Sequence, residues 1–398
     1  MIIYYINYDG INCSVFDSQI YTYCHLLNEN SLKVRLINCD TNISSKEYID
    51  KMKLYSNCNT FKVISFPKNK KIDFLINKRL INKVINLINE ENQTDEKIIL
   101  HCRGLFGSLI GLKVRGVLKK KFNIKIISDF RGAVIDEYLL RHKNKGILYK
   151  ILLKFLIIKI NNIQSNVCKN SDYILCVTKK LEEYLKNRYI INCCVSIIPT
   201  CIDSNKSRFD SEIRTKIRNE MKIDNKFIVV YCGGGQSYQK PKELITAFIK
   251  ISERIENAFF LILSKDEEIF KTALNKFNVD KSKYLIRSVP YNDVYKYLSA
   301  ADLAILLRDS DNVNKVASPT KFAEYINCNL PVFISHNIGD IDEINARYNV
   351  CIYEEDIDDI NIKIDEIKEK QEDFKLLVQD YYEWKKSINS IITIYNKL

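Results

Sequence analysis

Apolar and polar positions along this chain alternate between two rhythms. Short, nearly continuous apolar runs are followed by longer stretches in which apolar residues recur every three or four positions. The first rhythm fits strands buried on both faces and the second fits amphipathic helices. In the first half IIYYINY, KVRLINCD, FKVISFP, KIILHC, IKIISDF, YILCVT and VSIIPT read as strands. Helices are expected at SQIYTYCHLL, LINKRLINKVINLINEE, GSLIGLKVRGVLKKK and KKLEEYLKNR, and through a long region ahead of YILCVT. Strand, helix, strand at this spacing means βαβ units and a parallel, doubly wound sheet.

The second half repeats the theme. KFIVVYCG, AFFLILS, YLIRSV, LAILLR and PVFIS read as strands; KELITAFIKISERI, EIFKTALNKF, YNDVYKYLSAA and SPTKFAEYIN read as helices. The chain is therefore α/β, with two Rossmann-like halves and a break near Ile198-Pro199. The tail DFKLLVQDYYEWKKSINSIITIYNKL holds the only tryptophan, Trp384, and reads as one long amphipathic helix. Three segments follow: 1–198, 199–371 and a terminal helix over 372–398.

Composition adds limits. A chain of 398 residues is too long for one ordinary core. Its 46% hydrophobic and 28% charged residues exclude a disordered chain. No apolar run approaches the ~20 residues of a membrane span. MIIYYINYDG lacks a basic leader and reads as a first strand, not a signal peptide. The net charge of +12 favours an anionic partner, although a genome rich in lysine codons accounts for the same figure. Thirteen scattered cysteines, an odd number beside apolar residues, read as free thiols in a reducing cytoplasm. The four histidines show no metal spacing, and no zinc site is expected.

Glycine is scarce, 11 in the whole chain against roughly 7% in proteins generally, yet Gly233, Gly234 and Gly235 stand together. They lie between an apolar strand and a helix, where open α/β sheets bind ligands. Glycine lets backbone amides approach an anion closely, and Lys240 adds a point charge for a phosphate. The competing reading is a turn that merely needs positive φ. In ASPTKFAEYINCNLPVFIS, Ser318 can cap a helix whose first residue is Pro319, leaving a helix start suited to an anion. Glu324, further along that helix, is placed to accept hydrogen bonds from ribose hydroxyls, or is simply a surface glutamate.

YCGGGQSYQKPKELITAF, YLSAADLAILLRD and SPTKFAEYINCNLPVFIS, in this order, resemble the C-terminal half of GT-B retaining glycosyltransferases of the family 4 type. NSDYILCVTKKLEEYL with VSIIPTCID resembles the same family's last N-domain elements and linker, so the likeness spans nearly the whole chain. The resemblance implies two Rossmann-like domains facing a cleft and a C-terminal helix crossing back to the N-domain. It implies a nucleotide-sugar donor, UDP- or GDP-linked, and no metal or other cofactor. Lys240 matches the family's phosphate-binding lysine, Gly233, Gly234 and Gly235 its loop, and Glu324 the second glutamate of its E-x7-E motif. The first would fall at 316, where this chain has Val316, so recognition of the donor sugar departs from the pattern. Relatives of the surface-polysaccharide kind resemble this chain in carrying SPxKxxEY, which brings in Ser318, Thr320 and Lys321 as donor-binding residues. Asp309 and Asp311 are the nearby candidates to replace the missing carboxylate.

In the first half, ILHCRG puts His101 and Arg103 at the end of one strand, and IISDFRGAVIDE puts Asp129, Arg131 and Glu137 after the next. His101, Asp129 and Arg131 are the catalytic candidates; two Arg-Gly turns of purely structural role are the alternative. NYDGINCS, with Gly10 and Asn12, resembles the family's N-domain loop near the donor phosphates. The mechanism implied is transfer with retention by same-face attack, the leaving diphosphate stabilised by Lys240, amides and a helix start.

LLRHKNKGILYKILLKFLIIKINNIQSNVCKN interleaves basic and apolar residues, as a helix in an anionic membrane interface does. A core helix with lysines outside is the alternative. The expected protein is peripheral on the cytoplasmic membrane face. It transfers a hexose to a lipid-linked or oligosaccharide acceptor in lipopolysaccharide or capsule synthesis. A sugar-nucleotide epimerase and a non-enzymatic anion-binding protein are the rivals. No nucleic-acid module is recognisable.

Overall fold

The computed structural model describes residues 1–13, 15–41, 43–56, 61–68, 78–92, 96–143 and 146–398. Its chain forms two compact units, Met1–Pro199 with Ser387–Leu398, and Thr200–Lys386.

The first unit is built on a parallel sheet of seven strands: β1 (Ile2–Asn7), β2 (Lys33–Asp40), β3 (Lys62–Pro67), β4 (Lys97–Arg103), β5 (Asn123–Phe130), β6 (Tyr173–Cys176) and β7 (Cys194–Ile197). Their spatial order is β3-β2-β1-β4-β5-β6-β7. Helices cover both faces, so every residue of β1 is buried and alternation gives way to a continuous apolar run. Strand order reverses between β1 and β4, which opens a crevice beyond their carboxyl ends.

The second unit has six parallel strands: β8 (Phe227–Cys232), β9 (Ala258–Leu263), β10 (Tyr284–Arg287), β11 (Leu303–Leu306), β12 (Val332–Ile334) and β13 (Cys351–Tyr353). The order β10-β9-β8-β11-β12-β13 puts the reversal between β8 and β11. The triple-glycine loop follows β8 directly and Arg308 lies just beyond β11, so the loop stands at the switch point.

The tail departs from expectation. It is not one helix: Gln371–Leu377 leads into a π-turn at Val378–Tyr382, and Glu383 is extended at φ −78°, ψ 126° before the helix Trp384–Lys397. The break lets the backbone pair with Ile202, whose N–H donates to the Tyr382 carbonyl at 2.8 Å and whose carbonyl accepts from Trp384 at 3.2 Å. Helices Lys46–Ser56, Ser211–Met221, Ile341–Tyr348 and Ile360–Lys368, and strand β13, are further elements beyond those expected. Asp210 caps the second of these by accepting from the Ile213 amide, and Arg214 and Arg218 tie it to Asp302. The helix expected at LINKRLINKVINLINEE is described from Lys78 to Glu91, and its first residues, 75–77, lie outside the described residues. Lys145, one of the basic residues of the expected interfacial stretch, also lies outside them. The described cysteines are free thiols.

Candidate nucleotide-sugar site

The triple glycine has a specific steric reason. Gly233 adopts φ +152°, and a Cβ there would fall 1.9 Å from the Nζ of Lys321 and 2.9 Å from the Tyr231 hydroxyl. The missing side chain makes room for the lysine's ammonium. Lys321 donates to Gln239 Oε1 at 2.8 Å and to the Tyr231 hydroxyl at 3.2 Å, and lies 4.7 Å from the centre of the Tyr231 ring. Burial, with the Arg308 charge second, pulls its pKa down to about 7. Glu324 lies one turn along the helix Thr320–Asn327. Burial pushes its carboxyl up to about 7, against the opposing Lys321 charge and a hydrogen bond from Tyr291.

Lys240 takes the left-handed conformation, φ +56°, immediately before Pro241 opens the helix Pro241–Ser252. Its Nζ is 2.8 Å from Asp309 Oδ1. Burial disfavours its charge, but the Asp309 partner outweighs that and raises its pKa. Arg308 is buried; its amide donates to Ser335 Oγ at 2.7 Å and its Nη1 to the Leu307 carbonyl.

Two expectations about this region need correcting. The loop amides are not all turned to a ligand: Gly233 N–H donates to the Leu263 carbonyl at 2.9 Å and Gly235 N–H to Asp266 Oδ2 at 2.8 Å. Neither of these two amides is turned to a ligand. Ser318 does not cap the helix either. Pro319 stands at the cap position and Thr320 is the first helical residue, because the Ser318 hydroxyl is engaged with Thr200, 3.1 Å from its amide and 2.9 Å from its Oγ1. The helix start has no side-chain cap. Val316 is buried. Neither candidate replacement carboxylate is idle, since Asp309 pairs with Lys240 and Asp311 caps Asn312–Lys315. Among the described residues no group of three His, Cys, Asp or Glu side chains could hold a metal ion.

In the first unit the structure brings His101, Asp129 and Arg131 together. His101 Nδ1 is 2.8 Å from the Tyr395 hydroxyl, its ring stacks on Tyr5 at 4.8 Å, and its Nε2 is 3.5 Å from Asp129 Oδ2. Arg131 donates to the same Asp129 oxygen from Nε at 2.9 Å and Nη2 at 2.6 Å. Burial opposes the Asp129 charge, but Arg131, His101 and Arg103 hold its carboxyl well below the usual range, while burial lowers the His101 pKa. His101 and Asp129 are both 0% exposed, so only Arg131 has surface through which to meet a ligand. Gly10, at φ +91°, lets the Ile11 amide reach Asp40 Oδ2 at 2.8 Å, and Asn12 is exposed. Tyr8, Asp9 and Cys13 of this loop and the ends of β4 and β5 line a cavity of about 450 Å³, whose lining does not include Gly10 or Asn12.

Sequence reasoning passed over Arg308, Tyr231 and Gln239. Arg308 was recoverable, as the charge ending the apolar run LAILL. The two others are buried partners of Lys321 whose role only the fold shows.

Residues 213–384 match the family described as Glycosyl transferases group 1. Comparison with curated protein sequences found no match. Among solved structures, Anabaena Alr3699/HepE in complex with UDP is similar over 100% of both chains, with a TM-score of 0.73 and 10% identity. Sucrose-phosphate synthase from Thermosynechococcus elongatus gives 0.71 and 12%, over 100% of this chain and 98% of that one. WaaG, a glycosyltransferase involved in lipopolysaccharide biosynthesis, gives 0.66 and 13% over 99% of both. The fold is GT-B, and the stretch that matches the group 1 family lies within the second unit.

Proposed function

We propose that the protein is a retaining, metal-independent glycosyltransferase that moves a hexose from a nucleoside-diphosphate donor to a saccharide acceptor on the cytoplasmic face of a membrane. The observation that carries this reading is the pair Lys321 and Lys240, set around the glycine loop at the switch point of a group 1 domain. The donor's diphosphate enters between the two ammonium groups and draws Lys240 from Asp309. As the anomeric bond breaks, charge builds on the leaving phosphate, and both lysines and the uncapped start of Thr320–Asn327 meet it without reorganisation. Glu324 accepts the ribose hydroxyls. UDP in the HepE structure supports a uridine donor.

Arg131 is the residue of the first unit offered to the reacting sugar. His101 and Asp129 act through it, as positioning groups that hold its guanidinium. The membrane reading rests on the helix Ile147–Asn170. Its exposed face carries Ile151, Leu152, Phe155 and Ile158, Leu152 being 63% and Phe155 69% exposed, interleaved with Lys154 and Lys159. Leu153, Ile160 and Val167 face the core, so the outward face carries large apolar side chains as well as lysines. The WaaG likeness supports an acceptor of the surface-polysaccharide kind.

The test is incubation of the full chain with UDP- and GDP-sugars and extracted membrane lipids, following the anomeric protons of the product by NMR. Transfer with the donor's anomeric configuration, undiminished by EDTA, is expected. Inverted product, or activity that returns only with Mg²⁺, overturns the mechanism.

A further inference from the structure

The cavity in the first unit is built for a negative charge, and we propose that it takes an acceptor bearing an anionic group, a carboxylate or phosphate attached to a sugar ring. This inference rests on the transferase reading above.

The floor of the cavity is Arg103, at the end of β4. It is only 5% exposed, and its Nη1 has no hydrogen-bond partner. Asp9 engages only the other side of the guanidinium, accepting from Nε at 2.9 Å. A buried guanidinium nitrogen without a partner costs stability, which an incoming anion would return. Arg131 stands beside it with its own Nη1 unpartnered. Lys68 and Arg141 complete four cations in the lining against Asp9 and Glu137, with Asp129 a third carboxylate buried behind Arg131. Burial raises the Glu137 pKa, which weakens its opposition.

Two helices also begin at this cavity. Gly104–Leu118 and Val134–Arg141 both lack a side-chain cap, and Gly104, Leu105 and Val134 line the wall. Their first amides and dipole ends add positive field at the same place. The wall also carries aromatic rings: Phe106 lies 5.8 Å from Tyr8 and 6.5 Å from Tyr138, ring centre to ring centre. A ring face beside a guanidinium pair suits a pyranose with a charged substituent better than a neutral one.

The experiment uses the full chain with UDP at saturation and titrates methyl glucoside, methyl glucuronide and glucose 6-phosphate by ligand-observed NMR. At least one anionic sugar should bind tenfold or more tighter than the glucoside, weakening with salt; which of the two does so distinguishes carboxylate from phosphate. Arg103→Gln should abolish the preference, and Lys68→Gln, at a less buried position, should reduce it if the first variant fails to fold. Equal binding of neutral and charged sugars, or an undiminished preference in folded Arg103→Gln, overturns the proposal. UDP binding is read in the same samples. Loss of UDP binding with the anion preference intact would count against the donor site, not against this pocket.

Discussion

In the proposed donor site Lys321 is the buried charge offered to the phosphate. Its pKa of about 7 lies below the ordinary 10.5, so folding favours the neutral amine. The stability linked to that preference is present above pH 10.5 and is lost as pH falls towards 7. A bound diphosphate reverses the preference, because the opposite charge favours the ammonium. Donor binding near pH 8 should therefore take up protons, and affinity should fall as pH rises from 7 to 9. Calorimetry in buffers of differing ionisation enthalpy reads the uptake directly, and Lys321→Met should lose it. Binding with no proton uptake at pH 8 would mean that the lysine does not meet the phosphate. Lys240 and Glu324 could be picked out as candidates in the sequence because each belongs to a local motif. The seat of Lys321 was not, since Gly233, Tyr231 and Gln239 meet it only across the fold.

At the scale of elements, the strands were the most readable part. Runs such as AFFLIL and IIYYIN are buried on both faces, and continuous hydrophobicity leaves little doubt about their type. Ser211–Met221 escaped notice because it is polar on most sides and is held by Arg214 and Arg218 on Asp302. The tail was misread because periodicity continues through Glu383, where pairing with Ile202 outweighs helix propensity. For Ile147–Asn170, the period alone did not say which side of the helix faces outward. The structure exposes Ile151, Leu152, Phe155 and Ile158. Vesicles of rising anionic lipid content should then sediment the protein at low salt. Each engaged lysine is worth about 1 kcal/mol, so Lys150, Lys154 and Lys159 changed together to Gln should weaken binding by roughly a hundredfold. Indifference of the wild type to anionic vesicles would return the +12 charge to codon bias.

Across the whole molecule, each unit places its polar groups at the carboxyl ends of its strands, beside the point where strand order reverses. The paired halves could be read from hydrophobic rhythm, and the candidate donor side from three short motifs. Which N-terminal candidates have surface could not, because His101 and Asp129 carry the residue types of a catalytic pair and lie wholly buried beneath Arg131. The central claim is that the second unit binds the diphosphate of a nucleotide through Lys321, seated under Gly233. Calorimetric titration of UDP and of uridine into the wild type, Gly233→Ala and Lys321→Met tests it most directly. UDP should bind at least a hundredfold tighter than uridine to the wild type. Both variants should keep the native melting profile and lose most of that advantage, Gly233→Ala because its new methyl displaces the ammonium. UDP binding no tighter than uridine, or unchanged in both folded variants, would contradict the account.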